Sequence, residues 1–172
     1  MAPLPPDRCR EAFPFENSEI DYAGPLYVKS GRELSETYIL LFTCAVTRAV
    51  HLELTADLST EKFLLAFRRF ITRRGLCRIV YIDNAKTFKR AKKELELLNK
   101  VMKSNKVQDE FSKQGIKSKF IVERAAWWEG FWERMVQSLK AVLKRILGKS
   151  SLTFRELETV ITEVEAILNP DL

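Results

Sequence analysis

The chain has 172 residues, of which 46% are hydrophobic and 30% are charged, and its formal net charge is +6 at pH 7. This composition excludes an intrinsically disordered protein, and the longest apolar run, Tyr38 to Val46, is too short to span a membrane. The length suits one domain with its own hydrophobic core, and the positive charge favours anionic partners.

The cysteines favour an intracellular protein. Cys9, Cys44 and Cys77 are odd in number and far apart, which is typical of reduced thiols and not of a disulfide framework. Together with the single histidine, His51, they do not form a zinc-ligand pattern. His51 lies between apolar residues of a predicted strand, and we interpret it as structural. We see no signal peptide at the start of the chain.

The first third of the domain is predicted to be an antiparallel meander. Residues 1–15 are rich in proline and read as an extended lead-in, and residues 16–172 form the predicted domain. Residues with β-branched or aromatic side chains then recur in short runs separated by turn residues. The three predicted strands are Ile20–Val28 with a break at Gly24-Pro25, Tyr38–Val46, and Ala49–Leu54.

The hydrophobic period changes to that of a helix after Ser59, and strands and helices alternate from there. The predicted elements are a helix from Ser59 to Gly75, a strand at Cys77–Ile82, helical pieces at Ala85–Leu98 and Lys100–Gln114, a strand at Lys119–Val122, and helices at Trp132–Leu147 and from Ser151 or Thr153 to Leu168. This order predicts an α/β protein of the ribonuclease-H-like fold, with a five-stranded mixed sheet flanked by helices.

Three carboxylates lie where such a fold brings strand ends and helix starts together. Asp21 lies within the first strand, Asp83 follows the fourth strand, and Glu133 lies in the first turns of the helix that begins near Trp132. Carboxylates held close together raise one another's pKa unless a cation neutralises them, and Mg²⁺ prefers oxygen ligands. Two such ions about 4 Å apart could catalyse phosphoryl transfer. Each acid also has a simpler interpretation: a surface residue, a helix cap, or an exposed pair of Glu133 with Arg134.

The helix after Glu133 carries a polar and basic face. Gln137, Lys140 and Lys144 share a face with Glu133 by helical spacing, which suits contact with a phosphate backbone. Asn84 and Lys86, which follow Asp83, are further candidates for nucleic-acid binding. Solvated surface charge and helix capping are the alternatives for these residues. The core-facing positions of this helix are predicted to be Met135, Leu139, Val142 and Ile146.

Several stretches of the chain resemble a known family. They are Ile20–Val28, Leu41–Glu53, Asp83–Phe88 and Phe120–Lys140, within a likeness that extends from about Phe13 to Leu168. Together they are similar to the integrase catalytic core of long-terminal-repeat retrotransposons, and more narrowly to the BEL/Pao group.

The resemblance implies an active site of the D,D,E type, carried onto Asp21, Asp83 and Glu133. It implies Mg²⁺ or Mn²⁺ as cofactor, with two ions per site when DNA is bound. The implied enzyme trims the 3′ ends of retroelement DNA and joins them to target DNA, as a homodimer or higher oligomer without membrane attachment. Its expected location is the nucleus, and also a cytoplasmic nucleoprotein particle.

The chain departs from this family at two places. Glu129 stands where the group usually has glycine, and it adds negative charge beside the expected path of DNA. The chain also ends at Asn169-Pro170-Asp171-Leu172, where the family would continue, and the zinc-binding and DNA-binding modules expected before and after the core of a full integrase are not in this sequence. An isolated core, a fragment of a longer protein and a host-retained relic are all consistent with this. A domesticated or inactive integrase-derived domain that binds DNA or protein is therefore the alternative. A ribonuclease H hydrolase would require a fourth acid, and the sequence pattern places none.

Overall fold

We describe a computed structural model of the chain. It describes residues 12–83, 93–121, 138–139, 141–143, 145 and 152–170, and for residues 83, 93–95 and 121 the backbone alone.

A five-stranded mixed sheet forms the centre of the fold, with strand order β3-β2-β1-β4-β5. The first three strands form the predicted antiparallel meander, and β4 and β5 continue the sheet in parallel with β1. The predicted five-stranded mixed sheet and ribonuclease-H-like fold are thus confirmed. The strands are β1 Asn17–Ser30, β2 Glu33–Cys44, β3 Val50–Thr55, β4 Ile79–Asp83 and β5 Lys117–Ile121.

In the part of the chain that the structure describes, five helical segments flank this sheet, and local capping sets several of their ends. Ser59 accepts a hydrogen bond from the backbone N–H of Lys62 at 3.3 Å, and Thr153 accepts one from Glu156 at 3.3 Å. Gly115 ends the third helix in the left-handed conformation. The helices are α1 Thr60–Arg74, α2 Lys93–Met102, α3 Asn105–Gln114, α4 with helical residues 138–139, 141–143 and 145, and α5 Phe154–Leu168.

The boundary between α2 and α3 differs from the predicted one. The sequence favoured a division near Asn99, whereas α2 continues to Met102 and α3 begins at Asn105. The reason is Ser104, whose hydroxyl accepts a hydrogen bond from the N–H of Val107 at 3.5 Å and so caps α3.

The two faces of the sheet are covered by different helices. Alternate strand residues such as Ile20, Leu40 and Ile82 pack against α1, α2 and α3 in one core cluster. The intervening residues, among them Ala23 and Leu41, pack against α4 and α5 in a second cluster. This period-two division of apolar residues is what a sheet covered on both faces requires.

The buried face of α4 is turned slightly from the predicted one. Leu139 is buried as expected, but Val142 is 37% exposed and its neighbour Leu143 is buried at 2% exposure. Residues 139 and 143 are one helical turn apart, so they form one stripe against the sheet. Met135 and Ile146 lie outside the described residues.

Side chains of α5 and the residue that follows it cover the outer edge of β3. Asn169 accepts a hydrogen bond from the N–H of Val50 at 2.8 Å and donates one to the carbonyl of Val50. Glu165 accepts a hydrogen bond from the N–H of Leu52 at 2.7 Å. An edge strand that would otherwise present unpaired backbone groups is therefore closed by side chains.

His51 is structural, as the sequence indicated. It is fully buried, and its Nε2 lies 2.7 Å from Oε1 of Glu53. Arg69 pairs with Glu53, and Arg74 pairs with Glu165 of α5, so the network ties β3 to helices on both faces of the sheet. Among the described helices, none is long and apolar enough to cross a membrane.

Candidate active site

The first two predicted acids lie at adjacent positions of the sheet. β1 and β4 run in parallel, and Ile20 of β1 is the register partner of Ile82 of β4. Asp21 and Asp83 are the next residues of these two strands. Neighbouring strands are about 4.8 Å apart, so the backbones of these two residues are close neighbours.

Position 21 and position 83 also belong to the same face of the sheet. Ile20 and Ile82 both pack in the cluster beneath α1, α2 and α3. Because successive strand residues alternate between faces, positions 21 and 83 belong to the opposite face, which α4 and α5 cover. The structure thus brings together two strand positions that are far apart in the sequence.

The backbone around Asp21 is held on both sides. Ile20 and Tyr22 are buried at 1% and 4% exposure, so the residues before and after Asp21 are fixed in the core. Asp21 itself is half-buried, and its Oδ1 accepts a hydrogen bond from the N–H of Tyr22 at 2.8 Å. The β1–β2 register shifts between Ala23 and Leu26, so the strand is irregular directly after this acid.

The helix that follows Glu133 lies against this same sheet face. Leu139 and Leu143 of α4 pack with Ala23, Ile39 and Leu41 in the second core cluster. Glu133 itself lies outside the described residues. The predicted nucleic-acid-binding residues also lie outside them: Asn84, Lys86, Gln137, Lys140 and Lys144.

The residue types at these two positions suit a divalent cation. Asp21 and Asp83 occupy adjacent positions of two parallel strands, and aspartate carboxylates are hard oxygen ligands of the kind that Mg²⁺ and Mn²⁺ prefer. Within residues 12–83, 93–121 and the described parts of α4 and α5, no group of three or more histidine, cysteine or carboxylate residues is arranged to hold a metal. A third ligand from Glu133 would complete a site of the predicted composition.

A second row of residues lies below the two aspartates, and the sequence did not predict it. Glu19 of β1 is the partner of Tyr81 of β4, which is in turn the partner of Lys119 of β5. Glu19 is buried at 3% exposure, two residues before Asp21 on the same face. The two-residue spacing within β1 and β4 was visible in the sequence, but the register of β5 was not.

Comparison with known proteins shows that this fold is similar to the folds of viral integrases. No protein-family model matches the sequence, and no curated protein matches it. The magnesium-bound HTLV-2 integrase catalytic core domain in dimeric form matches with a TM-score of 0.64 at 16% identity, covering 95% of this chain and 92% of that one. The catalytic core domain of BIV integrase matches with a TM-score of 0.64 at 13% identity, covering 92% of this chain and 86% of that one.

A chain of a larger assembly is similar as well. A chain in the simian T-cell lymphotropic virus intasome in complex with the PP2A regulatory subunit B56 gamma matches with a TM-score of 0.66 at 12% identity. The likeness covers 95% of this chain and 51% of that one, so this chain spans about half of its length. At these identities the likeness establishes the fold: a five-stranded mixed sheet with flanking helices, as in integrase catalytic cores.

Proposed function

We propose that this chain is the catalytic core of a retroelement integrase, a metal-dependent polynucleotidyl transferase of the long-terminal-repeat retrotransposon type and of the BEL/Pao group. The observation that carries the proposal is the placement of Asp21 and Asp83 directly after the register partners Ile20 and Ile82. The likeness of the whole fold to integrase catalytic cores supports it.

In this proposal Asp21, Asp83 and Glu133 hold the metal ions. When bound, two Mg²⁺ or Mn²⁺ ions supply activation of the attacking oxygen and stabilisation of the leaving oxygen. The protein supplies position: the Tyr22 N–H orients the Asp21 carboxylate, and the buried residues on either side restrict its movement. The apolar stripe of α4 fixes the helix that follows Glu133 against the same face of the sheet.

The proposed reaction has two steps at one site. In the first, the oxygen of water bonds to the phosphorus of a phosphodiester near the 3′ end of the element DNA, and the bond from that phosphorus to the 3′ oxygen breaks. The element strand keeps a 3′ hydroxyl, and the released nucleotides carry the phosphate. In the second, that hydroxyl attacks a phosphodiester of target DNA, so one P–O bond forms as another breaks. Each step replaces one P–O bond by another and requires no external energy source.

The proposed DNA contacts are Gln137, Lys140 and Lys144, which follow Glu133, and Asn84 and Lys86, which follow Asp83. Lysines neutralise phosphates, and binding through them weakens as salt rises. We further propose that the chain acts as a homodimer or higher oligomer on retroelement DNA ends and target DNA, in the nucleus and in a cytoplasmic nucleoprotein particle.

The experiment is a metal-dependent joining assay with labelled element-end DNA, and with a branched substrate for the reverse reaction. The wild-type chain should join or resolve DNA with Mn²⁺ or Mg²⁺, and Asp83→Asn should lower the rate at least about a hundredfold. Asp109→Asn is the matched control, because Asp109 is an exposed acid on α3, away from the aspartate pair. Joining that survives Asp83→Asn would overturn the mechanism.

The alternative, an integrase-derived domain that binds without catalysis, is favoured by Glu129, a negatively charged residue where the resembled group usually has glycine. This alternative predicts that the wild type and Asp83→Asn bind DNA equally, and that neither joins DNA with Mg²⁺ or with Mn²⁺. Glu129→Gly would then test whether this residue suppresses activity. An RNA–DNA hybrid in the same assay tests the ribonuclease H alternative, which requires RNA-strand cleavage.

A further inference from the structure

Lys119 extends inward from the outer strand of the sheet. β5 is an edge strand, and Lys119 is exposed on it. Its ammonium nevertheless lies over β4, with Nζ 5.7 Å from the centroid of the Tyr81 ring. Tyr81 is buried at 6% exposure, so this aromatic ring gives the lysine stem and ammonium a fixed surface to rest on.

This placement puts a positive charge one row of the sheet away from the aspartate pair. Tyr81 is two residues before Asp83 on β4, and residues on one face of a strand are spaced about 6.6 Å apart. Glu19, the partner of Tyr81 on β1, is two residues before Asp21. The lysine therefore shares one sheet face with three acidic positions, 19, 21 and 83.

The charge of the Lys119 ammonium has opposite effects on the two ligands of the proposed site, a metal cation and a DNA phosphate. At an effective dielectric constant of about 20, unit charges about 10 Å apart interact strongly enough to change an equilibrium constant severalfold. Salt reduces the effect, because the screening length is about 10 Å at 0.1 M. An ammonium near the aspartates attracts a DNA phosphate and opposes a divalent cation.

We propose that Lys119 is a positioning residue of the candidate active site. It reduces the mutual repulsion of the acids before metal binds and attracts the phosphate backbone to the β5 side of the site. It thereby favours DNA binding at the cost of metal affinity in the DNA-free protein. This inference rests on the proposed function, since it assigns Lys119 a role toward the metal and DNA of that site.

The test compares Lys119→Met with Lys117→Met in the DNA-free chain and with DNA. Lys117 is the matched control because it is exposed on the same strand and the same face, two residues farther from the aspartates. At low salt, Mn²⁺ titration followed by calorimetry should show Lys119→Met binding the ion about three- to tenfold tighter than the wild type. Lys117→Met should change the Mn²⁺ affinity less than about twofold.

DNA binding should change in the opposite direction. Fluorescence anisotropy with labelled duplex DNA should show weaker binding by Lys119→Met, with the slope of log K against log salt reduced by about one. Lys119→Arg, which keeps the charge, should restore both affinities toward the wild-type values. Unfolding of the variant would weaken the binding of both Mn²⁺ and DNA, so tighter Mn²⁺ binding cannot arise from a loss of structure.

The outcomes separate this inference from the proposed function. Unchanged Mn²⁺ affinity in Lys119→Met, or an equal change in Lys117→Met, would overturn the role of Lys119 even if Asp83→Asn abolishes joining. Tighter Mn²⁺ binding in Lys119→Met together with an absence of joining by the wild type would support Lys119 and contradict the proposed catalysis.

Discussion

Nε of Arg74 donates a hydrogen bond to Nδ1 of His51 at 3.0 Å, and this contact fixes the proton of the buried imidazole. Arginine carries donors only, so Nδ1 must accept, and the proton of the neutral ring lies on Nε2. Nε2 then donates to Oε1 of Glu53 at 2.7 Å. The network of Arg69, Arg74, Glu53 and Glu165 contains two charges of each sign, so it can be buried without net charge.

Removal of Arg74 should therefore destabilise the fold. Arg74→Met leaves Nδ1 of His51 and one carboxylate oxygen of Glu165 without this donor, and we expect a loss of about 2–3 kcal/mol in the free energy of unfolding. Arg73→Met is the control, because Arg73 is the sequence neighbour of Arg74 and its own side chain is exposed. This variant should change the free energy of unfolding by less than about 0.5 kcal/mol. Urea unfolding measures both. Equal losses in the two variants would contradict the role of the network.

Glu53 should make stability depend on pH in the acid range. Burial alone raises the pKa of Glu53, but hydrogen bonds from His51 and Arg69 outweigh it, and the pKa lies below its ordinary value of 4.5. A carboxyl group with a lowered pKa in the folded state stabilises the protein above the unfolded-state pKa. This contribution is lost as the pH falls through the folded-state value.

We expect the free energy of unfolding to fall as the pH is lowered below about 4.5, and the fall to be smaller in Glu53→Gln. Urea unfolding at a series of pH values between 3 and 7 provides the measurement. Glu96→Gln, which changes an exposed residue of α2, should retain the pH dependence of the wild type. The prediction fails if Glu53→Gln and the wild type lose stability in parallel.

Tyr22 should tolerate the loss of its hydroxyl group. The side chain is buried at 4% exposure, and its hydroxyl finds no hydrogen-bond partner among the described residues. Burial is the main cause that raises the pKa of Tyr22, so the hydroxyl stays protonated. Tyr22→Phe removes a buried polar atom and keeps the ring, so the free energy of unfolding should stay equal or rise by up to about 1 kcal/mol. A clear loss in thermal unfolding would reveal a partner.

Substitution of Gly24 by alanine should destabilise the fold more than substitution of Gly31 by alanine. Both residues have positive φ, at 138° and 65°, so alanine is strained at either position. A Cβ at Gly24 would also lie 3.0 Å from Cδ1 of Tyr38 and 3.2 Å from the carbonyl oxygen of Thr37, whereas nothing lies within 4 Å at Gly31. Gly31→Ala should cost about 1 kcal/mol and Gly24→Ala at least about 2 kcal/mol, as chemical denaturation will show. Similar losses would contradict the close packing at Gly24.

Local patterns predicted most of the fold, because they act within a few residues. Ser59 and Gly75 bound α1 as expected, and the strand patterns around Ile20 and Ile82 correctly predicted two strands whose apolar residues pack in the core. The division of α2 from α3 was missed because a serine cap at Ser104 outweighed the hydrophobic period. Such competition between signals is difficult to weigh in one sequence.

The features that the sequence did not predict depend on contacts between residues that are far apart in the chain. The sequence predicted only that Asp21 and Asp83 come together, whereas the pairing of Ile20 with Ile82 and of Tyr81 with Lys119 depends on where β4 and β5 enter the sheet. A shift of one residue in β5 would have placed Lys119 on the other face. The exposure of Val142 likewise depends on how α4 is rotated against the sheet.

The side chains that close the edge of β3 restrict how copies of this chain can associate. A second chain could extend the sheet there only by displacing Asn169 from Val50 and Glu165 from Leu52. The opposite edge strand, β5, carries Lys117 and Lys119, whose charges would repel an identical strand. Continuous strand addition is therefore disfavoured at both edges of the described sheet, because it would displace these side chains at β3 or bring like charges together at β5.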